Sequence, residues 1–251
     1  HGDDRRQRQM CIRDRAITAR GANSLFANKL LMLIDGRSVY TPLFSGVYWD
    51  VQDTMLSDVD RIEVIRGPGA SLWGANAVNG VINVITKSAK DTLGGLVSAG
   101  GGDEEQGFGT MRYGAELSPD SQLRGFVKYI NRDDSRAEMG GPSGDQWESV
   151  RGGFRLDSDL SDKDTLTVQG DVYSNRSDYT SSLSTLSPPF TQSIDERADQ
   201  SGGNIMARWG RSISDTSDVS LQLYYDRVMR DEPILDQARN TYDVDFQHRF
   251  E

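Results

Sequence analysis

The feature that most limits how this chain can fold is an alternation of apolar and polar residues that begins after Ser88 and continues to the last residue. In residues 165–175, Leu166 and Val168 alternate with polar side chains such as Gln169 and Asp171. A period of two residues is typical of a β-strand with two different faces. About eight such segments occur. Each has about the ten residues that cross a bilayer as a tilted strand.

The connections between these segments differ in length. Tight turns are predicted at residues 118–121, 161–163 and 214–217, and long polar loops at 132–146 and 174–200. Short turns on one side and long loops on the other are typical of outer-membrane barrels. The alternative is a soluble β-sandwich, whose strands are usually about five or six residues long. Segment length and loop asymmetry favour the barrel.

Composition excludes several functional classes. The 251 residues carry a formal net charge of -10, which argues against an electrostatic grip on nucleic acid. No run of apolar residues approaches the roughly 18 that a membrane-spanning helix needs. A single cysteine, Cys11, cannot form an internal disulfide, and His1 and His248 are too far apart to suggest a metal site. No catalytic set of side chains is recognisable, so we expect no enzyme, metal or cofactor.

The first part of the chain follows a different pattern. Short apolar runs that end in glycine predict buried strands at 30–34 and 62–65 and a third strand at 80–86, with a short helix over residues 50–59. This pattern indicates a small domain of mixed α and β structure. Residues 1–15 are instead nearly all charged or polar.

The predicted domains follow from these patterns. Residues 1–15 resemble a translated sequencing-adapter scar and are taken as a non-native or disordered leader; the small domain covers 16–88, and the strands cover 89–251. An eight-stranded barrel has no room for a separate domain inside it. We therefore expect either a domain outside a small barrel or a fragment of a larger barrel that encloses the domain.

Three motifs occur in a fixed order in the first part: LMLIDGR at 31–37, DRIEVIRGP at 60–68 and LWGANAVNGVINVIT at 72–86, preceded by ARG at 19–21. Together they resemble the plug domain of TonB-dependent outer-membrane receptors. The resemblance implies an α+β plug domain followed by antiparallel transmembrane β-barrel strands, here about eight of an expected 22 or so. It covers residues 19–87 by motif and the strands by pattern alone.

The resemblance also implies a function. Such a receptor lies in the bacterial outer membrane and imports a scarce ligand, such as a ferric siderophore, cobalamin or an oligosaccharide. Its partners are the ligand, outer-membrane lipid and a TonB-type energy-coupling protein that pulls on an N-terminal segment of the plug; nucleic acid is not among them. Two alternatives stay open, a passive barrel or adhesin with a soluble N-terminal domain and a soluble carbohydrate-binding sandwich.

Glycines and one proline mark predicted turns. Gly36 and Gly67 end strands where the backbone must turn at once, and Pro68 fixes the next bend. Gly74 and Gly80 flank a compact loop that returns the chain to the sheet. A phosphate-binding loop is excluded, because no lysine and serine or threonine follow these glycines.

Two arginines and four aromatic residues are the candidate functional positions. By resemblance, Arg20 and Arg66 pair with glutamates on the barrel wall and lock the plug; alternatively, they are ordinary exposed arginines. A loop rich in aromatic residues follows the Asp35-Gly36 turn, and in similar receptors this loop points outward toward the ligand. Its predicted ligand-binding residues are Tyr40, Phe44, Tyr48 and Trp49. Phe44 and Trp49 could instead pack against the core, so the two tyrosines are favoured for ligand contact.

Overall fold

The computed structural model describes residues 29–74, 76–134, 144–184, 186–188, 190–232 and 235–250. The predicted leader, residues 1–15, and Arg20 lie outside these ranges. The chain divides into two compact units between Lys87 and Ser88. In the described ranges, no helix is both long and apolar enough to cross a membrane.

The first unit is a small mixed sheet with one short helix. Its strand order is β2-β1-β6-β5, in which β1 and β6 run parallel and the other neighbours run antiparallel, while β3 and β4 form a separate hairpin. The elements are β1 (Leu30–Ile34), β2 (Arg37–Ser38), β3 (Tyr40–Thr41), β4 (Gly46–Val47), β5 (Val59–Arg66), α1 (Ala70–Trp73) and β6 (Gly80–Thr86).

Both faces of β1 are buried, as its unbroken apolar run predicts. On one face, Leu31 and Leu33 pack with Ala77 and Val81. On the other, Met32 packs in a second cluster; its buried members are Met32, Val39, Val47 and Val84. A strand covered on both faces reads as continuously hydrophobic.

Two local predictions for this unit are wrong. Ile62 and Val64 are 55% and 60% exposed, because nothing among the described residues covers them; β5 lies at an edge of the described sheet, next to β6. The predicted helix over 50–59 is replaced by two 3₁₀ turns, Trp49–Val51 and Leu56–Asp58. Gln52 is extended (φ -95°, ψ 101°) and separates them. Val51 and Met55 are buried, whereas Leu56 is 80% exposed, so the apolar residues do not share one helical face.

The second unit is one antiparallel sheet of eight strands, preceded by a 3₁₀ turn at Lys90–Thr92. Each strand pairs with the next in the chain, as in a meander. The strands are β7 (Gly94–Gly100), β8 (Gly107–Ser118), β9 (Ser121–Arg132), β10 (Trp147–Asp159), β11 (Asp164–Ser184), β12 (Thr191–Ser214), β13 (Ser217–Glu232) and β14 (Leu235–Phe250). The predicted fold class, an α+β unit followed by about eight antiparallel strands, is confirmed.

One end of the sheet has only short turns, at residues 119–120, 160–163 and 215–216. The opposite end carries the longer connections at 101–106, 133–146 and 185–190, together with a short one at 233–234, and we call it the long-loop end. The long loop predicted at 174–200 is wrong, because β11 continues to Ser184 and β12 begins at Thr191, and the two pair along their whole length. Their polar sequence belongs to a hairpin that extends beyond the neighbouring strands.

The two faces of this sheet differ sharply in chemistry. The register pairs Leu156 with Val168 and Arg155 with Gln169, so the predicted apolar and polar faces of β10 and β11 are confirmed. Many side chains on the polar face of β9 to β13 are buried; they include Gln122, Arg124, Ser149, Arg151, Asn175, Gln200, Gln222, Asp226 and Arg230. Met206, Tyr224 and Val228 share this face.

The apolar face is exposed instead. It runs across seven strands and includes Met111, Tyr113, Val127, Val150, Phe154, Val172, Ile205, Leu223, Val244 and Phe246. A soluble sandwich buries its apolar face and exposes its polar one. The reversed arrangement matches a wall whose apolar face meets lipid.

Candidate functional site

Ion pairs and hydrogen bonds tie the polar face together across strands. Arg151 of β10 pairs with Asp171 of β11, which also accepts a hydrogen bond of 3.0 Å from Asn204 Nδ2. The Arg151 guanidinium lies 4.7 Å from the centre of the Tyr173 ring. Buried charges need such partners, because removing them from water is costly. The network makes this face a polar wall rather than a core.

Aromatic rings cover glycines on the polar face. Three glycines lie directly opposite an aromatic residue of the neighbouring strand; the pairs are Gly100–Phe108, Gly153–Phe126 and Gly202–Tyr173. A Cβ at any of the three would lie 2.6–2.7 Å from the paired ring or its hydroxyl. Each ring therefore occupies space that only glycine leaves open.

Asp133 joins two connections at the long-loop end. Its carboxylate accepts hydrogen bonds from the backbone N–H of Asp134 (3.0 Å), from Gln106 Nε2 (2.8 Å) and from Gln146 Nε2 (3.1 Å). The bond from Asp134 and then that from Gln106 lower the pKa of the Asp133 carboxyl below its ordinary value. The loops after β7 and β9 are therefore held together at their bases.

The predicted aromatic loop is the β3–β4 hairpin and the residues after it. Tyr40 begins the hairpin opposite Val47, and Phe44 lies in its turn. The rings of Phe44 and Tyr48 meet edge to face, with centroids 5.0 Å apart. Tyr40, Phe44 and Tyr48 are all half-buried. Each of these three rings keeps surface that a ligand could contact.

Trp49 differs from the other three aromatic residues, because it packs against the buried cluster of Met32, Val39, Val47 and Val84. This contact is the core packing that the sequence left open as an alternative for Trp49. The structure thus separates Trp49 from its neighbours in the candidate site.

The Asp35-Gly36 turn has a specific structural role. Both residues have positive φ, +51° and +84°, which lets β1 reverse directly into β2. The buried carboxylate of Asp35 accepts hydrogen bonds from the N–H and the hydroxyl of Thr86, each 2.8 Å long. Asp35 therefore fastens the turn to the end of β6, a partner 51 residues away that the sequence did not reveal.

The other predicted turn residues lie at chain reversals. Gly67, which ends β5, and Gly74, which follows α1, have φ of +101° and +87°. At Gly80, a Cβ would lie 2.7 Å from the carbonyl oxygen of Ile65, so only glycine allows β5 and β6 to approach there. Pro68 is exposed in the turn between β5 and α1.

Arg66, a predicted locking residue, is the last residue of β5 and is exposed. Earlier on this strand, Arg61 binds Glu63 (2.9 Å) and Glu63 accepts a bond from Asn83 (3.2 Å). The bond from Arg61, followed by that from Asn83, lowers the pKa of the Glu63 carboxyl. Glu63 is therefore a local partner within the sheet. Whether Arg66 pairs with a glutamate stays a prediction.

A shallow cavity of about 310 Å³ opens at the long-loop end of β11–β14. Side chains of the apolar face line it, among them Ser174, Asp199, Met229 and Asp231. Gln200 and Arg230 of the polar face also line it, so the cavity does not belong to one face alone. Within the described ranges, no cluster of three or more histidine, cysteine or acidic side chains is arranged to hold a metal.

Comparisons with known proteins agree with the motifs. Residues 12–81 match the family model of the TonB-dependent Receptor Plug Domain. Over 100 residues the chain is 37% identical to the Vitamin B12 transporter BtuB of Vibrio vulnificus (strain CMCP6). That match covers 39% of this chain and 16% of the relative.

Solved structures extend the likeness to the strands. The ferric-catecholate import receptor Fiu from E. coli K12, in its open form, superposes with a TM-score of 0.58 over 86% of this chain and 37% of its own, at 14% identity. The siderophore receptor PiuA from Acinetobacter baumannii gives a TM-score of 0.60 over 80% of this chain and 29% of its own, at 17% identity. At such identities the likeness concerns the fold, and the chain spans about a third of each structure.

Proposed function

We propose that the chain comprises the plug domain and first barrel strands of a TonB-dependent receptor, and that this receptor serves energy-coupled uptake of a scarce ligand across the bacterial outer membrane. The observation that carries this proposal is the reversed polarity of the eight-stranded sheet. Charged and polar side chains are buried on one face, while the other exposes apolar residues across seven strands. Such a wall is stable where lipid replaces water on its apolar face.

The border of the apolar face supports a position in a bilayer. Near the long-loop end, the Tyr129 hydroxyl donates to Glu148 (3.2 Å) and that of Tyr225 donates to Asn240 (2.8 Å). The Tyr225 ring also lies 4.9 Å from that of Tyr242. Tyrosines with an apolar ring and a hydrated hydroxyl are enriched at membrane interfaces. We place the outer membrane boundary at these residues.

The ligand is proposed to be a ferric siderophore or cobalamin. The relatives include a vitamin B12 transporter and receptors for ferric catecholates and siderophores, which sets this range. Tyr40, Phe44 and Tyr48 are the proposed contacts, and Arg20 and Arg66 the proposed plug locks. The proposed partner is a TonB-type energy-coupling protein.

Uptake by cells tests this proposal. The complete receptor would be expressed in a strain without its own receptors, with and without the energy-coupling protein, and supplied with radiolabelled ferric siderophore or cobalamin. We expect accumulation of one ligand only when the coupling protein is present. Equal accumulation without it would favour a passive barrel, and recovery of the protein outside the membrane fraction would favour a soluble binding protein.

Substitutions in the aromatic loop test the contact residues. Replacing Tyr40 and Tyr48 by alanine should weaken ligand binding about tenfold or more, since buried aromatic anchors dominate such contacts. Trp49→Ala serves as the contrast, because its ring packs against the core and its loss should lower stability instead. Unchanged affinity in the double variant would mean that recognition lies elsewhere.

A further inference from the structure

The connection between the two units is held on both sides of a single residue. Before it, Lys87 donates from its backbone N–H to the Asp58 carbonyl (2.8 Å) and from Nζ to that of Ser57 (2.9 Å). After it, the N–H of the fully buried Ala89 donates to Asp157 Oδ2 (2.7 Å). Only Ser88 lies between the two anchors.

Asp157 of β10 is the centre of the second anchor. Besides Ala89, its carboxylate accepts hydrogen bonds from Arg155 Nε (2.8 Å) and from the Thr167 hydroxyl of β11 (2.7 Å). Hydrogen bonds to an ionised carboxylate are about twice as strong as neutral ones. The Ala89 N–H is therefore bound by an acceptor whose own position is fixed by two strands.

The residues after Ala89 are attached to a third strand. The Ser88 hydroxyl donates to Asp91 Oδ2 (2.6 Å), and the Thr92 hydroxyl donates to the Ala89 carbonyl (3.1 Å), which closes a compact turn. Thr92 is 2% exposed. Its carbonyl oxygen lies so close to Gly114 of β8 that a Cβ there would be 2.2 Å away.

We propose that residues 88–92 form a strap that fixes the chain to the polar face. The strap prevents a movement of the first unit from being transmitted along the chain beyond Ser88. Without the strap, a pull on the first unit would reach β7, whose pairing with β8 begins at Gly94. A pull along that path would open the β7–β8 pairs one at a time from their end. With the strap, the load passes into β8, β10 and β11 together.

This inference rests on the proposed function only for the origin of the pull. The strap itself can be tested without ligand or energy coupling. Ala89→Cys, in the complete receptor with any other cysteine replaced by serine, reports strap opening through its rate of modification by a water-soluble maleimide in lipid vesicles. The rate should be slow, because Ala89 is fully buried.

Two substitutions should open the strap from different strands. Asp157→Ala removes the acceptor, and Gly114→Ala forces the Thr92 carbonyl away from β8. Each should raise the modification rate about tenfold or more. The matched controls are Asp159→Ala, an exposed acid on the same strand and face, and Gly109→Ala, where a Cβ meets nothing within 4 Å. Both controls should leave the rate unchanged.

Equal rates in the strap variants and the controls would overturn the proposal. Barrel integrity is read in parallel from the shift in gel mobility on heating, so that only inserted protein is compared. If the Asp157→Ala variant does not insert into the membrane, the modification rate in the Gly114→Ala variant alone tests the proposal. A receptor that imports nothing but shows the expected rates would refute the proposed function and leave the strap standing.

Discussion

A lysine at Val168 is the substitution that most clearly separates a membrane wall from a soluble sheet. Val168 lies on the apolar face of β11 between Leu156 and Ala207. On this face of β11, the apolar stretch is bounded by Asp164 and Ser174. These ten residues span about 33 Å along the strand, or about 25 Å in height at a tilt near 40°.

The expected cost follows from this geometry. Val168 is four residues from Asp164, which places it about 10 Å above the lower border and close to the midplane of a band about 25 Å high. A lysine at that depth should reduce the free energy of unfolding by about 2–4 kcal/mol. Ser174→Lys on the same strand and face lies at the border and should cost only about 0–1 kcal/mol.

Equilibrium unfolding of the complete receptor in lipid vesicles, followed by tryptophan fluorescence in guanidinium chloride, measures both values. The two variants share the strand, the face and the introduced lysine, and they differ in depth and in the residue that is replaced. Equal costs at Val168 and Ser174 would refute the assignment of the apolar face to lipid.

Three further predictions concern local structure. Gly202→Ala should destabilise the receptor by about 1–3 kcal/mol because its Cβ would lie 2.4 Å from a backbone carbonyl, whereas Gly109→Ala, with open space, should not. Asp35→Ala should lower protection of the Thr86 amide in hydrogen exchange by about 1–3 kcal/mol, and Asp35→Asn by less, since asparagine keeps one acceptor and tolerates positive φ. Carboxyl NMR should give the Asp133 carboxyl a pKa below the ordinary aspartate value, because its hydrogen bonds favour the ionised form. The ionised carboxylate of Asp133 should stabilise the loops above the ordinary aspartate pKa, and this stabilisation should be lost as the pH falls through the lowered pKa. A measured pKa at or above the ordinary value would contradict this.

The strands were predictable because their signal is local. Alternation along β10 and β11 fixed which side chains share a face, and a register error of one residue would have exchanged the two faces. The limits of β11 and β12 were not predictable, since a polar hairpin beyond the lipid and a polar loop have the same composition. Exposure of Ile62 was missed for a related reason, because the sequence does not reveal which face of a strand another element covers.

The candidate site was predictable in part. The aromatic composition of the hairpin singled out Tyr40 and Tyr48, and the structure distinguishes Trp49 by its core contacts. The roles of Asp35 and Asp157 had no sequence signal, because each depends on a partner more than 50 residues away. Such long-range hydrogen bonds appear only once the strands are paired.

The central claim is that one face of the eight-stranded sheet contacts lipid while the other does not. Spin labels placed singly at residues 165–173 of β11, in the complete receptor in a bilayer, would measure collision rates with oxygen, which is enriched in lipid. We expect collision rates with a period of two residues, with maxima at 166, 168, 170 and 172 and minima at Gln169 and Asp171. A uniform profile along β11, or maxima at the odd-numbered positions, would contradict it.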